Sequence, residues 1–238
     1  MKILVFQHVA SEHPGSFRDV MKARGCAMQA VELDEGEVIP PLDGFDALLV
    51  MGGPMDVWET AQHPWLLDEM AAIKSWVQAG RPYLGMCLGH QLLAQALGGE
   101  VGPMATPEVG MSKVGIAADP IFAGLPKLWP CLQWHGAEVK RLPEGAELLA
   151  SSPACAIQAQ RWGRFAYGLQ FHMELTNTTA AEWGSLPEYK AALERVRGPG
   201  ALDALGAEVD AQFTGLYGAA QIVFGNFLDI AARALAPS

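Results

Sequence analysis

The sequence predicts an α/β protein built on a doubly wound, mostly parallel sheet. Short, continuously apolar runs alternate with segments of helical periodicity through residues 1–97. Parallel strands that are buried on both faces have such continuous apolar runs, and a βαβα order favours a parallel sheet covered by helices. Glycine-containing loops follow two of the runs. In such folds ligands bind at the edge of the sheet where the strands end.

Strands and helices alternate in this first part of the chain. The predicted strands are the short apolar runs bounded by turn residues, at 3–7, 27–33, 45–51 and 82–84. The predicted helices are the segments with apolar residues at helical spacing, at 14–24, 64–79 and 88–96. Gly25 and Gly80 directly follow the first two helices, where glycine commonly ends a helix.

The pattern changes after Gly98-Gly99. Five strand-like runs with turn residues between them follow, at 109–116, 132–139, 146–150, 155–160 and 165–173. They predict a small mixed or antiparallel extension before the chain returns to the central sheet. We expect a single domain over residues 1–238, with a mainly helical C-terminal part over 176–238 that is interrupted at 195–200.

Composition limits the classes of function. Half of the 238 residues are hydrophobic and 18% are charged, which is enough apolar surface for a folded core. The net charge of −10 argues against nucleic acid as the main partner, because phosphate binding needs a basic face. No run approaches the length of a membrane span, and the apolar start at 3–6 is too short for a signal peptide. The four cysteines are widely spaced, which is typical of a reducing compartment, so we expect a cytoplasmic protein without a membrane partner.

The first candidate for chemistry is Cys87, in Gly85-Met86-Cys87-Leu88-Gly89. A predicted strand ends directly before this segment and a predicted helix starts within it. Flanking glycines allow a sharp strand-to-helix turn, which would raise the Cys87 thiol above the edge of the sheet. There the N-terminus of the helix favours the nucleophilic thiolate. Taken alone, the segment is also consistent with a buried structural cysteine.

A thiolate nucleophile needs a base, and His172 and Glu174 lie two residues apart near the end of another predicted strand. Residues i and i+2 of a strand project from the same face. Glu174 is therefore placed to orient His172 and to stabilise its protonated form. An isolated His-x-Glu pair is as readily a surface ion pair.

Three segments in this order resemble the class I (triad) glutamine amidotransferase family. They are Gly52-Gly53-Pro54, then 85–91, which includes His90 and Gln91, and then Gln170-Phe171-His172-Met173-Glu174. The C-terminal helices resemble those of stand-alone members of the type of the GMP synthase glutaminase. The resemblance implies a flavodoxin-like fold, no metal or organic cofactor, glutamine or another γ-glutamyl compound as substrate, and a synthetase partner in trans.

The resemblance also implies roles for individual residues. Cys87 becomes the nucleophile, His172 the acid and base, and Glu174 its orienting partner. The backbone N–H groups of Gly53 and Leu88 form the oxyanion hole. The implied substrate-binding residues are Gln91, His135 and Gly52; for His135 a structural role fits equally well.

Some positions depart from the family pattern or stay open. The family commonly has proline where Met173 stands, although methionine keeps the spacing between His172 and Glu174. The role of Glu108 is open, and His8 is interpreted as a loop residue without a function.

Three functions are compatible with these residues. The leading one is a glutaminase that supplies ammonia to an acceptor or synthetase. The second is a γ-glutamyl peptidase acting on glutathione-like conjugates, for which Trp58 and Trp65 are candidates to wall the leaving-group pocket. The third is an inactive regulatory or binding subunit.

Overall fold

The computed structural model describes residues 1–236, which form a nine-stranded sheet flanked by helices. The strands are β1 (Lys2–Gln7), β2 (Ala27–Glu32), β3 (Ala47–Val50), β4 (Tyr83–Met86), β5 (Glu100–Ile116), β6 (Leu128–Arg141), β7 (Ala146–Ser151), β8 (Ala159–Trp162) and β9 (Ala166–Leu169). The helices are α1 (Phe17–Ala23), α2 (Trp65–Gln78), α3 (Leu88–Ala96), α4 (Thr179–Gly184), α5 (Pro187–Arg197) and α6 (Ala201–Leu235).

The sheet has a parallel half and an antiparallel half. Its strand order is β2-β1-β3-β4-β9-β8-β7-β5-β6. The first five strands are parallel, and β8, β7, β5 and β6 continue the sheet with antiparallel pairing. The predicted fold class is therefore confirmed, and the predicted extension consists of four strands. The parallel half brings the ends of β1, β3, β4 and β9 to one edge.

Helices cover both faces of the parallel half because side chains of successive strand residues point to opposite sides. Ile3 and Val5 of β1 pack in one apolar cluster with α1 and α6. Leu4 and Phe6 pack in a second cluster with α2 and α3. All four strand side chains are fully buried, which explains the unbroken apolar sequence of this strand.

A third apolar cluster joins the C-terminal helices to the antiparallel half. It contains Trp134 of β6, Trp183 of α4, Tyr189 and Leu193 of α5, and Leu205 of α6. The rings of Trp134, Trp183 and Tyr189 lie close together, at centroid distances of 5.7–5.9 Å. This packing carries α4 and α5 to the edge of the sheet where β4 and β9 end. Helix α6 has 35 residues, yet no helix within residues 1–236 is apolar enough over a sufficient length to cross a membrane.

One predicted strand is wrong in its extent. The sequence predicts a single strand over 165–173, but β9 ends at Leu169. Beyond it only His172 keeps strand-like pairing, through an isolated antiparallel bridge to Leu132 of β6. The apolar sequence continues because Phe171 and Met173 are buried in the core without belonging to a strand. The predicted strand at 155–160 is likewise shifted, since β8 covers Ala159–Trp162.

Candidate active site

Cys87 occupies a strained turn between β4 and α3. Its backbone has φ 48° and ψ −100°, and within residues 1–236 it is the only residue other than glycine with positive φ. Its N–H donates a hydrogen bond to the carbonyl of Leu169 at 2.8 Å, which ties the turn to the end of β9. A side chain in such a conformation costs of order 1–3 kcal/mol and persists only when its surroundings fix it. This geometry is the one expected of a nucleophile elbow.

The two glycines of the elbow are needed for close packing. A Cβ on Gly85 would lie 2.5 Å from the backbone carbonyl of Gly89, and a Cβ on Gly89 would lie 2.3 Å from the carbonyl oxygen of Val50. Real Cβ atoms do not approach backbone this closely. The Gly-x-Cys-x-Gly pattern therefore has a steric cause: helix α3 starts in direct contact with the ends of β3 and β4.

His172 and Glu174 form a buried pair at the same edge of the sheet. His172 Nδ1 donates to Glu174 Oε1 at 2.7 Å, and the backbone N–H of His172 donates to the carbonyl of Leu132 at 2.9 Å. Although neither residue lies in a regular strand, the extended backbone keeps the expected pairing. Both side chains are almost completely buried, so the alternative of a surface ion pair does not describe this pair.

Methionine at position 173 adds a contact that proline cannot make. The Met173 N–H donates to Glu174 Oε2 at 2.9 Å, so the two carboxylate oxygens are held by different donors. Proline has no backbone N–H. The departure from the family pattern therefore fixes the Glu174 carboxylate more fully.

The electrostatics of Cys87 differ from the sequence-based expectation. Burial raises the pKa of the Cys87 thiol, and the His172 ring beside it only partly opposes this rise. The helix N-terminus does not by itself yield a thiolate, because burial penalises an isolated charge. Burial lowers the pKa of His172, but Glu174 and then Cys87 outweigh it and hold that pKa well above its usual value. A Cys87 thiolate is thus stable only beside a protonated His172.

Glu12 is a second carboxyl group at this site, and no sequence pattern pointed to it. It lies in the loop after β1 and is 1% exposed. One ligand atom each of Glu12, His172 and Glu174 lies within 4.8 Å of the others, the only such group of acidic, histidine or cysteine side chains within residues 1–236. Burial raises the pKa of Glu12, and the hydroxyl of Tyr189 donates a hydrogen bond to its Oε1. Because His172 Nδ1 is already bonded to Glu174, this arrangement suits proton chemistry better than a metal ion.

The C-terminal helices also reach His172. The Trp183 ring stands edge-on to the His172 ring at a centroid distance of 4.4 Å, and Trp183 Nε1 donates to the carbonyl of Ser11 at 3.0 Å. The sequence predicted these helices but placed none of their residues in the site. Apolar periodicity cannot distinguish a tryptophan that covers the core from one that covers a histidine.

A cavity of about 470 Å³ opens above Cys87. Its lining includes Gly53, Gln91, His135 and Tyr189. The Nε2 group of Gln91 is engaged by the carbonyl of Ala137 at 3.2 Å and by Gln170 Oε1 at 3.1 Å. Only its Oε1 atom is therefore available as an acceptor for a ligand.

His135 is fixed at the wall of the cavity. Its Nδ1 donates to the carbonyl of Ala137 at 2.9 Å, and its Nε2 lies 3.3 Å from Glu108 Oε2. Glu108 is held in turn by Gln158 Nε2 at 2.9 Å. His135 therefore combines a structural role with a position that a ligand can contact.

The other predicted site residues fall into two groups. Gly53 lines the cavity, and Leu88 is the first residue of α3, where the backbone N–H has no acceptor within the helix. Gly52 is not part of the lining, because its carbonyl faces His8 and its Cα faces the Glu12 carboxylate. Trp58 and Trp65 do not line this cavity, so the suggestion that they wall its leaving-group pocket is wrong.

The fold and these residues define an α/β protein with a cysteine at a nucleophile elbow and a buried His–Glu pair beside it. The family model described as "Glutamine amidotransferase class-I" matches residues 16–183. The chain belongs to the class I glutamine amidotransferase family, as its motifs predicted.

Named relatives agree with this assignment. A GMP synthase of Aeropyrum pernix is 39% identical over 152 residues, which are 63% of this chain and 28% of that protein. The chain thus spans less than a third of that relative's length. The glutamine-hydrolysing subunit of the GMP synthase of Sulfolobus acidocaldarius is 36% identical over 154 residues, which are 63% of this chain and 79% of that relative. The crystal structure of a glutamine amidotransferase from Thermotoga maritima matches with a TM-score of 0.87 and 26% identity, covering 96% of this chain and 98% of that one.

Proposed function

We propose that this protein hydrolyses the γ-amide of glutamine through a γ-glutamyl thioester on Cys87. The observation that carries the proposal is the buried arrangement of Cys87 at the elbow beside the His172–Glu174 pair. Family membership and the similarity to the glutamine-hydrolysing subunit of a GMP synthase support it. We further propose that residues 1–238 act as one domain and supply ammonia to an acceptor or to a synthetase partner in trans.

In the first half-reaction, His172 takes the proton of the Cys87 thiol, and the thiolate attacks the side-chain carbonyl carbon of glutamine. The backbone N–H groups of Gly53 and Leu88 stabilise the oxyanion; one such donor is commonly worth ~10²–10³ in rate. Protonated His172 then gives its proton to the leaving nitrogen, and ammonia departs. The raised pKa of His172 suits the first transfer, because the ring accepts the thiol proton readily.

In the second half-reaction, water attacks the thioester carbonyl while His172 removes its proton. Collapse of the second oxyanion releases glutamate and returns the proton to Cys87. Glu174 keeps the Nδ1–H of His172 in place throughout, so that Nε2 exchanges the protons. That atom is buried and has no protein hydrogen-bond partner within the described residues, which leaves it available for this role. Gln91 Oε1 and His135 are the proposed contacts to the amino-acid end of the substrate.

The test is ammonia release from glutamine by the wild-type protein and by Cys87→Ala, alone and with a GMP-synthase-type synthetase. We expect release by the wild type only, and labelling of Cys87 alone by an electrophilic glutamine analogue of the acivicin type. Undiminished release by Cys87→Ala would refute the proposal. Failure of Cys87 to label, with and without the partner, would instead support an inactive regulatory role.

A γ-glutamyl peptidase is the second candidate, and one observation favours it. The family model ends at residue 183, but the cavity is walled beyond that point by Glu188, Tyr189 and Arg195 of α5. The side of the cavity formed by α5 is therefore not part of the common family core. Comparing glutamine with γ-glutamyl dipeptides and glutathione as substrates separates the two functions, since the proposed thioester is the same in both and only the leaving group differs.

A further inference from the structure

His8 links three elements behind the candidate active site. It directly follows β1, and its ring is fully buried. Nδ1 lies 2.8 Å from the carbonyl oxygen of Gly52, and Nε2 lies 2.9 Å from Glu69 Oε1 of α2. Glu69 is also fully buried, and neither side chain lines the cavity above Cys87. The pair therefore does not contact substrate there, but it holds the loop that follows β3.

The hydrogen-bond partners fix the protons on His8. A carbonyl oxygen only accepts hydrogen bonds, so Nδ1 must carry a proton and donate it to Gly52. Nε2 faces a carboxyl group, so a second proton lies on Nε2 or is shared with Glu69. Burial lowers the pKa of His8, but the Glu69 charge and hydrogen bond, with the Gly52 carbonyl, outweigh burial and raise it overall. The donor toward Gly52 is consequently a lasting feature of the folded protein.

This hydrogen bond sets the orientation of the peptide unit between Gly52 and Gly53. The unit is planar and trans, so its C=O and N–H point in opposite directions. When the oxygen is held toward His8, the Gly53 N–H is directed to the opposite side. Gly53 lines the cavity together with Cys87, and its N–H has no protein acceptor within residues 1–236. Glycine on both sides leaves little else to restrain rotation of this peptide.

We propose that His8, supported by Glu69, is a positioning residue for the oxyanion hole. It holds the Gly52–Gly53 peptide in the orientation that presents the Gly53 N–H to the substrate carbonyl oxygen. The inference rests on the proposed function and deepens it, because it names the group that prepares one of the two oxyanion donors. His8 acts through the backbone and does not touch the reacting atoms.

Two double variants separate positioning from packing. His8→Leu with Glu69→Leu removes the donor and the buried charge, and apolar replacement of a buried ion pair is often well tolerated by the fold. His8→Asn with Glu69→Gln also removes the charge, but the asparagine amide nitrogen can occupy the place of Nδ1. We expect the leucine pair to lower kcat for glutamine by ~10²–10³, with little change in KM. We expect the amide pair to stay within about tenfold of the wild type.

Asn226→Ala is the matched control. Asn226 also holds backbone carbonyls, those of Ile121 at 3.0 Å and Ala123 at 2.9 Å, but it is not part of the cavity. Its replacement should leave kcat unchanged. Equal kcat values in the leucine pair and the wild type, or equal losses in both double variants, would overturn the inference.

Crystal structures of the two double variants test the same point without turnover. The Gly52 carbonyl should keep facing position 8 in the amide pair and should rotate away in the leucine pair. An unrotated peptide in the leucine pair overturns the inference even if the wild type hydrolyses glutamine. Failure of the proposed function itself is recognised separately, by a wild-type protein that releases no ammonia and does not label at Cys87.

Discussion

The hydroxyl of Tyr189 donates a hydrogen bond to Glu12 Oε1 across 177 residues of sequence. The contact joins α5 to the loop after β1, and both side chains are buried. Glu12 is at the same time a near neighbour of His172 and Glu174. The C-terminal helices therefore do more than cover the core, because they supply the hydrogen-bond donor for a carboxyl group in the candidate active site.

Tyr189→Phe should destabilise the protein through this contact. Glu12 Oε2 already has no hydrogen-bond partner within the described residues, so losing the Tyr189 donor leaves the buried carboxyl group unsatisfied. We expect urea unfolding to show a loss of about 1–3 kcal/mol in the free energy of unfolding. The loss should be larger at about pH 8 than at about pH 5, because the charged form of Glu12 has the greater need of a donor.

Tyr217→Phe is the control for that change. The Tyr217 hydroxyl donates to Asp19 Oδ2 at 2.9 Å, but this pair is exposed to solvent. Its removal should change the free energy of unfolding by about 0.5 kcal/mol or less. If both variants lost equal stability, burial would not be what makes the Tyr189 contact important.

The strain at Cys87 can be measured with two substitutions that both remove the thiol. Cys87→Gly relieves the unfavourable backbone conformation, whereas Cys87→Ala keeps it. After the entropic cost of glycine, the glycine variant should be the more stable of the two by ~1 kcal/mol. Thermal and urea unfolding of both proteins give the comparison. An alanine variant of equal or greater stability would argue against strain at the elbow.

Met173→Pro tests the extra contact to Glu174. The change removes the N–H that donates to Glu174 Oε2 at 2.9 Å. A hydrogen bond to a charged group contributes about 1.5–3 kcal/mol, so the free energy of unfolding should fall by that amount and kcat should fall with it. Met173→Leu keeps the N–H and a similar volume, and it should behave like the wild type in both measurements. Equal behaviour of the proline and leucine variants would show that this N–H has no such effect.

Asp56 should make stability depend on pH in the mildly acidic range. It lines the cavity, and burial followed by the charge of Glu59 raises its pKa to about 6. Between about pH 4 and 6 the folded state therefore holds a proton that the unfolded chain has released. The free energy of unfolding contributed by this group falls as pH rises through that window. Asp56→Asn should flatten the slope in urea unfolding at a series of pH values, and an unchanged slope would contradict this assignment.

The sequence alone determined the features that depend on local patterns. Continuous apolar runs identified the parallel strands because those strands are buried on both faces. The glycines around Cys87 predicted the elbow because a sharp turn with close backbone contacts excludes a Cβ. The two-residue spacing of His172 and Glu174 predicted their pairing, and an extended backbone preserves it even though β9 ends earlier.

Only the tertiary structure decided which distant groups surround that cysteine. Glu12, Trp183 and Tyr189 reach His172 or its neighbours because three apolar clusters fold the C-terminal helices back onto the sheet. Such contacts leave no periodic signal, since they join residues far apart in sequence. Burial is also a tertiary property, and it reversed the expected direction of the Cys87 pKa. The elbow was therefore legible in the sequence, whereas the proton chemistry around it depends on side chains that only folding brings together.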